Sequence, residues 1–453
     1  MNETRPPRET WGSQLGFILA AIGFSVGLGN IWRFPYLTGQ NGGGAFLAVY
    51  LALAVVIGVP LFTAEISLGR KAQKTPLVGL RDLVGRRSPW RVIGWLGIAT
   101  ALLILSYYQV IMGWIAAYLA RSFGAGFREA DPARLAAAFD AFTARPGPVL
   151  AYTAVVMAGL GVIVGRGVQA GVERAARILI PALFFFLVAL SIYSMTFEGA
   201  GAGLLWYLRP DVSAIDAGMV LAALGQVFYS IGVGMTGAFV FGSYLDATRS
   251  DVPGSAATIV AFDTLAAILA GLVIFPALFA FGLAPDSGPG LLFVTMSALF
   301  GRLPAGDVAA GLFFFLVLIA GATSGLALLE ALTATAMESL GWSRRRALWT
   351  VLGSLYALGA AIVLGFGPWS DVRLFGRGLF DIADYVSGNV LLTLGGLLLS
   401  LYVATSWGFD RFREETNRGA GRVRVTGAWG PVMRWLAPLA VALVLLAGLG
   451  LVG

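Results

Sequence analysis

The sequence predicts an all-α polytopic membrane protein, and three observations carry that expectation. Of 453 residues, 58% are hydrophobic and only 12% are charged, where soluble domains carry about 25% charged residues. The apolar runs are continuous over ~20 residues rather than alternating, which favours helices over a barrel. Two of those runs are interrupted by glycine at corresponding places, the sign of helices broken in mid-membrane around a small polar ligand or ion.

Taken in order, the chain opens on MNETRPPRET, which is polar and lacks the basic-then-apolar layout of a cleaved signal. Residues 1–11 are therefore read as a cytoplasmic segment and Trp11 onward as a retained first span. About eleven apolar spans follow, at 12–37, 42–69, 92–123, 149–165, 172–195, 217–245, 255–283, 306–338, 346–366, 379–406 and 431–452. The 70–91 loop carries Arg70, Lys71, Lys74, Arg81, Arg86, Arg87 and Arg91 against Asp82. The loop after span eight carries Arg344, Arg345 and Arg346, and the 407–430 loop carries Arg411, Arg413, Arg418, Arg422 and Arg424. All three loops follow even-numbered spans, so they share one side. The positive-inside rule makes that side the cytoplasm, with the N-terminus inside.

The first span holds IGFSVGLGNIWRFP at 22–35, with Gly23, Gly27 and Gly29 followed by Asn30 and Arg33. Glycine loosens a helix and an intramembrane arginine is expensive. Irregular backbone at that depth is tolerated only where protein buries it or it lines a watery cavity. Span six repeats the pattern in GQVFYSIGVGMTGAF, with Gly225, Gly232, Gly234 and Gly237 around Ser230. Spans one and six each open a set of five, which predicts two inverted repeats, 12–195 and 217–406, with 431–453 as an added span. Glycine-mediated helix packing is the competing reading.

Composition also excludes functions. The chain has no Cys and no His, which removes disulfides, thiol chemistry, His-ligated haem, the usual zinc sites and the commonest general base. The formal charge of +7 lies in the short loops of one side and does not indicate nucleic-acid binding. An enzyme is the least favoured class.

Five motifs carry a resemblance over nearly the whole chain: residues 11–50, GVPLFTAEISLGR at 58–70, SYYQ at 106–109, GQVFYSIGVG at 225–234 and AGATSG at 320–325. The chain resembles the neurotransmitter:sodium symporters, whose broken helices are the general example of this design. The resemblance implies the LeuT-type fold, two inverted five-helix repeats with spans one and six unwound at mid-membrane. Most members have twelve spans, and an eleven-span chain resembles a bacterial subgroup.

The resemblance further implies two sodium ions. The first would take the carbonyl of Ser25, the amide oxygen of Asn30, Ser230, and Asp263 in FDTLAAILAG, where many relatives have Asn. Asp263 also reads as a packing carboxylate, although a charge in an apolar span needs a partner. Chloride-dependent relatives hold chloride with a Tyr, a Gln, two hydroxyls and an Asn. Tyr50, Gln226 and Ser230 persist here, but Ala267 stands at the second hydroxyl, so Asp263 is expected to supply the negative charge instead. The second sodium would take carbonyls of Gly23, Val26 and Ala320 and the hydroxyls of Thr323 and Ser324. Such hydroxyls otherwise bond back to their own helix.

A substrate carboxylate suits the half-helix start at Leu28 and Gly29, with Tyr108 donating to it. Tyr108 could instead be an interfacial aromatic. Amine-transporting relatives place Asp where Gly27 stands, so an α-amino acid is expected. The pocket would draw on Phe24, Ser25, Ile104, Tyr229, Ser230, Gly232, Met235, Ser324, Gly325 and Leu328, with Gly232 and Gly325 leaving room and Met235 adapting. Arg33 and Asp384 would form the outer gate under a Tyr229 lid. Arg8 would form the inner gate with Glu338 and Tyr244, though Arg8 also reads as positive-inside charge. Gly171 and Pro181 bracket nine residues of span five, which resembles a family element that unwinds at its inner end; a plain proline kink is the alternative.

The expected function is sodium-driven, chloride-independent uptake of a hydrophobic or aromatic α-amino acid by alternating access. Its partners would be that amino acid and the lipid bilayer, without nucleic acid or an obligate protein partner. The place would be a bacterial inner membrane. A non-transporting sensor of the same fold, a channel, and a proton-coupled transporter using Asp263 and Glu65 remain as alternatives.

Overall fold

The computed structural model describes residues 9–124, 126–283, 290–303 and 305–452. Arg8, expected at the inner gate, lies outside the described residues. Among those described, nine unbroken helices are long and apolar enough to cross a membrane. They are Gly44–Ala72, Pro89–Ser122, Pro146–Val164 and Val168–Met195, which are spans two to five, and Val252–Ala280, Gly306–Leu340, Arg344–Leu364, Leu379–Trp407 and Trp429–Gly448, which are spans seven to eleven. The pair Gln14–Ser25 and Gly29–Gln40, bent by 48°, makes span one.

Span six is the pair Ala217–Ile231 and Gly237–Ser243, of 15 and 7 residues. At 1.5 Å per residue neither half crosses the roughly 30 Å hydrocarbon core, but the two in sequence do. Spans seven and nine start two or three residues before their apolar runs, and polar caps begin these and span six. Asp251 accepts the Gly254 N–H, Ser343 the Arg346 N–H and Asp216 the Met219 N–H.

Spans three and eight form the centre. In each, 78% of the most apolar window is buried, against 28% in span four at the lipid-facing edge. At one end, Trp114 and Tyr118 of span three pack edge-on to Phe293. Phe293 in turn stacks at 4.8 Å on Phe139. These rings pin the short helices Pro132–Thr143 and Leu291–Gly301 to the central pair.

The other end gathers the basic loops. Arg70, fully buried, ends span two. It donates to the carbonyls of Ser250 (2.7 Å), Arg418 (2.8 Å) and Glu415, and to Glu415 Oε1 at 3.3 Å. The loops after spans two, six and ten are thereby gathered around one guanidinium. Thr75 N–H donates to Glu338 and Arg344 pairs with Glu9, which adds the end of span eight, the start of span nine and the N-terminal segment to the same face. The loops that share positive charge in sequence therefore share one face in space.

Removing Arg70 would leave three carbonyls without their donor and the buried Glu415 carboxylate with only Arg418 and Lys71 on its other oxygen. Arg70→Ala is expected to cost about 3–5 kcal/mol, read as a lowered Tm of the detergent-solubilised protein. Arg70→Lys is expected to fall as well, because one ammonium cannot reach acceptors spread around a planar fork.

Candidate functional site

The site starts from a helix that stops. Helix Gln14–Ser25 ends at Val26, whose backbone is extended (φ −77°, ψ 108°), and resumes as a π-turn over Gly29–Arg33. A continuous helix would send the Gly27 N–H to the Gly23 carbonyl; it goes instead to Asn30 Oδ1 at 3.0 Å. The carbonyls of Gly23 and Val26 are thereby left for other partners.

Span eight supplies them. Ser324 Oγ lies 3.0 Å from the Gly23 carbonyl oxygen and 3.2 Å from that of Val26. Thr323 Oγ1 lies 2.9 Å from the Ala320 carbonyl and 3.4 Å from that of Val26. Three carbonyls and two hydroxyls thus converge with only two protons among them. That excess of oxygen acceptors is what a hard cation seeks. A Cβ on Gly23 would stand 3.0 Å from Thr323 Cβ, so glycine lets spans one and eight approach this closely.

A second cluster surrounds Asp263, which is fully buried in span seven. Its carboxylate accepts from Asn30 Nδ2 (2.8 Å), from Ser230 Oγ (2.9 and 3.0 Å) and from Tyr50 Oη (3.3 Å). Asn30 Nδ2 also donates to Ser230 Oγ at 3.0 Å. The expected ligand atom of Asn30, its amide oxygen, is turned to Gly27, because the carboxylate attracts the nitrogen. The side chain must turn over to offer oxygen to a cation here. Ser25 is buried, and its hydroxyl bonds back to Ala21 at 3.2 Å, which leaves only its carbonyl for the cluster.

Between the clusters, Leu28 N–H donates to Tyr108 Oη at 3.4 Å. Tyr108 is therefore mid-membrane and faces the break rather than the interface. A Cβ on Gly27 would overlap Ser324 Oγ and lie 2.9 Å from Tyr108 Oη. Ile104 and Leu328, both buried, sit one helical turn from Tyr108 and Ser324 on the same faces. A Cβ on Gly29 would lie 3.2 Å from the Tyr229 ring, so this glycine seats the aromatic lid against the break.

The second break, at Gly232 (φ +68°), Gly234 (φ +88°) and Thr236 (φ +62°), receives the Phe24 ring. A Cβ on Gly232 would lie 2.6 Å from Phe24 Cζ, with Met235 Sδ close by, and one on Gly237 would meet the same ring. Two expectations are corrected here. The space beside Gly232 is filled by Phe24, and Gly325 faces Leu160 and Met112, so its missing side chain serves packing between spans. Glu65 of span two accepts the freed Gly234 N–H at 2.9 Å, which holds the break open.

The whole chain matches known proteins with this arrangement. The model of the sodium:neurotransmitter symporter family matches residues 8–129 and 139–451. An uncharacterized sodium-dependent transporter of Bacillus subtilis, YhdH, is 35% identical over 452 residues, covering 100% of this chain and 99% of that protein. An uncharacterized sodium-dependent transporter of Haemophilus influenzae is 31% identical, covering 99% of this chain and 100% of its own length. The crystal structure of MhsT in complex with L-phenylalanine superposes with a TM-score of 0.87 at 39% identity, covering 98% of this chain and 100% of that one.

The chain belongs to the sodium:neurotransmitter symporter family. It is a multi-pass, sodium-dependent membrane transporter of LeuT-type fold, not an enzyme.

The symporter's two ends differ. Away from the basic face, Arg33 Nη1 donates to Gln226 Oε1 at 3.0 Å, and Gln226 Nε2 donates to the Gly29 carbonyl at 2.9 Å. The Arg33 guanidinium lies 4.6 Å over the Tyr229 ring. Asp384, its expected partner, is exposed, and no ion pair joins the two among the described residues. A cavity of about 180 Å³ opens beside them, lined by Arg33, Tyr229, Asn389, Thr393 and Val444 among others.

The basic face is closed instead. Trp11 donates from Nε1 to the Phe241 carbonyl at 2.9 Å and packs edge-on to Phe241 and Tyr244. Tyr244 Oη donates to Glu330 at 2.9 Å, Glu330 pairs with Arg344 at 2.6 Å, and Arg344 reaches Glu9 at 2.9 Å. Among the described residues the Tyr244 hydroxyl is directed to Glu330 and Glu338 receives the Thr75 N–H at 2.6 Å; the expected pairing of both with Arg8 lies outside the described residues. Sequence reasoning missed Glu330 and Arg344. The signal was present, since Glu330 is a carboxylate deep inside an apolar span and such a group requires a cation.

Close approach at Gly27 gives a sharp test. Gly27→Ala is expected to abolish sodium-dependent uptake in proteoliposomes while the protein still purifies as a folded monodisperse peak. Gly353→Ala, on a face with nothing within 4 Å, is expected to leave uptake unchanged.

Proposed function

We propose that this symporter couples two sodium ions to the uptake of a hydrophobic or aromatic α-amino acid, by alternating access and without chloride. The observation that carries the reading is the convergence of three carbonyls and two hydroxyls from spans one and eight, next to a carboxylate cluster 33 residues downstream of Ser230. One sodium belongs at Gly23, Val26, Ala320, Thr323 and Ser324. The other belongs at Ser25, Asn30, Ser230 and Asp263.

The substrate carboxylate belongs at Leu28, Gly29 and Tyr108, where Tyr108 Oη already meets a free backbone N–H. Gly27 adds no charge of its own, so the substrate supplies the carboxylate. The side-chain pocket is walled by Phe24, Ile104, Tyr229, Met235 and Leu328, all apolar or aromatic. That MhsT is seen with L-phenylalanine supports an aromatic or large aliphatic side chain here as well. Phe24 must swing off Gly232 to admit one.

Chloride independence follows from charge. Tyr50 and Ser230 hydroxyls both donate to Asp263, so a fixed carboxylate occupies the place where those donors would meet an anion. The chain reads as two inverted repeats, 12–195 and 217–406, rocking about this site. The basic face lies in the cytoplasm of a cell membrane, by the positive-inside rule, and its ties form the inner gate, with Arg33 and Asp384 the outer pair.

Uptake of a radiolabelled amino-acid panel into proteoliposomes, with sodium, chloride and pH gradients varied separately, tests the reading. Phe, Trp or Leu should be taken up with sodium and unaffected by gluconate in place of chloride; selective uptake of glycine or collapse without chloride overturns it. Thr323→Val with Ser324→Ala is expected to abolish sodium-coupled uptake. Asp263→Asn is expected to weaken the apparent sodium affinity at least several-fold or to create a chloride requirement, read as uptake against each ion's concentration.

A further inference from the structure

We propose that Gln109 is a positioning residue for the substrate site: by bonding span three to span nine it fixes the rotation of span three, and with it the place of the Tyr108 hydroxyl at the break. The proposal rests on the reading of Tyr108 as the donor to the substrate carboxylate. Gln109 closes the SYYQ motif, is 1% exposed and lies near the middle of Pro89–Ser122. A primary amide inside an apolar span is costly unless its polar atoms are paired. Its Nε2 donates to the Leu355 carbonyl of span nine at 2.6 Å and lies 3.4 Å from the Ser106 carbonyl of its own helix. Both neighbours are acceptors, so the amide nitrogen, not the oxygen, belongs there.

Span nine is shaped to receive it. Gly359 follows Leu355 by one helical turn, and a Cβ there would lie 2.9 Å from Gln109 Nε2 and 3.0 Å from the Ser106 carbonyl oxygen. Glycine thus lets the two helices approach closely at this level. The neighbours of Gln109 face elsewhere, since successive residues of a helix point about 100° apart. Tyr107 turns to span ten, its ring 5.6 Å from that of Phe380, and Ser387 Oγ donates to its Oη at 3.4 Å. Tyr108 turns to the break in span one, accepting from Leu28 N–H at 3.4 Å. Three consecutive side chains of span three are therefore held by three different spans.

The consequence falls on Tyr108. Its hydroxyl sits at the far end of a long, rigid side chain, so a small turn of span three displaces it more than it displaces the backbone. There is no slack on its far side, because a Cβ on Gly27 would lie 2.9 Å from Tyr108 Oη. Tyr107 and Tyr108 hold span three by hydrogen bonds of 3.4 Å, long for such bonds, whereas Gln109 holds it at 2.6 Å. Gln109 is thus the shortest polar tie of the motif, and it faces span nine rather than the break. Without that tie span three can turn, the Tyr108 hydroxyl spreads over several positions, and substrate binding weakens while spans one and six keep their own contacts.

Sodium-driven uptake of L-phenylalanine by the full chain in proteoliposomes, read as KM and kcat alongside Tm in detergent, tests this through a double-mutant cycle. Gln109→Met keeps the length of the side chain but not the donor. It is expected to raise KM several-fold with kcat within about twofold of native, the pattern of lost substrate binding. Tyr108→Phe is expected to raise KM at least as much. Gln109→Met added to Tyr108→Phe is then expected to raise it no further, because the two act through one hydroxyl. An additive effect on KM in the double variant, or a lowered Tm with native KM in Gln109→Met, shows that Gln109 only holds helices together and overturns the proposal. Native KM in Tyr108→Phe overturns the carboxylate reading on which the proposal rests, and the proposal with it. If Gln109→Met does not yield folded protein, Gly359→Ala presses on the amide from span nine and is read in the same cycle.

Discussion

Everything about this molecule depends on a few backbone groups that cannot pair within their own helix at membrane depth. Lipid offers no hydrogen bonds, so a break in a spanning helix must be satisfied by neighbouring protein. In span one the break is satisfied from both ends. Asn30 takes the Gly27 N–H, and the hydroxyls of Thr323 and Ser324 close on the carbonyls of Gly23 and Val26. In span six the freed Gly234 N–H goes to Glu65. The same requirement fixes the glycines, because partners that close leave no space for a side chain at Gly23 or Gly27. A site for ions is then a by-product of satisfying the break: oxygens drawn together to solve one problem are positioned for another.

The two ends of the molecule are built on different terms. The basic face is closed by an indole bonded to a backbone carbonyl, a tyrosine on a buried glutamate, and a glutamate–arginine–glutamate chain reaching the N-terminal segment. The opposite end holds one arginine on a glutamine and a tyrosine ring, an aspartate with which it forms no ion pair among the described residues, and a cavity beside the arginine. Exposed charge pairs contribute little and break easily, whereas buried ones are costly to break. This conformation is therefore closed on the face that carries the basic loops.

Much of this was legible residue by residue. The glycine-interrupted motif at 22–35 located the break, and AGATSG located its partner hydroxyls, because both are short local patterns whose chemistry is carried by residue type. Asp263 was legible as a buried carboxylate needing donors, and it has three. Other features were not. Gln226 as the partner of Arg33, and Glu330 as the partner of Tyr244, depend on which faces of distant helices meet. Gly232 and Gly325 look alike in sequence, yet one is covered by Phe24 and the other by Leu160 and Met112. The turned amide of Asn30 is set by the carboxylate beside it, 233 residues away.

By itself, then, the sequence determined the membrane class, the helical fold, the side on which the basic loops lie together, and the residues that surround the break. Hydropathy, loop charge and glycine spacing are local properties, and local properties survive in one dimension. Only the tertiary structure decided which atom each residue presents, which gate is shut, how Phe24 fills the second break, and that Arg70 and Glu330 are buried charges holding the basic face together. Those outcomes are set by close approach and by the desolvation of charge, and both arise only when helices far apart in the chain are pressed against one another.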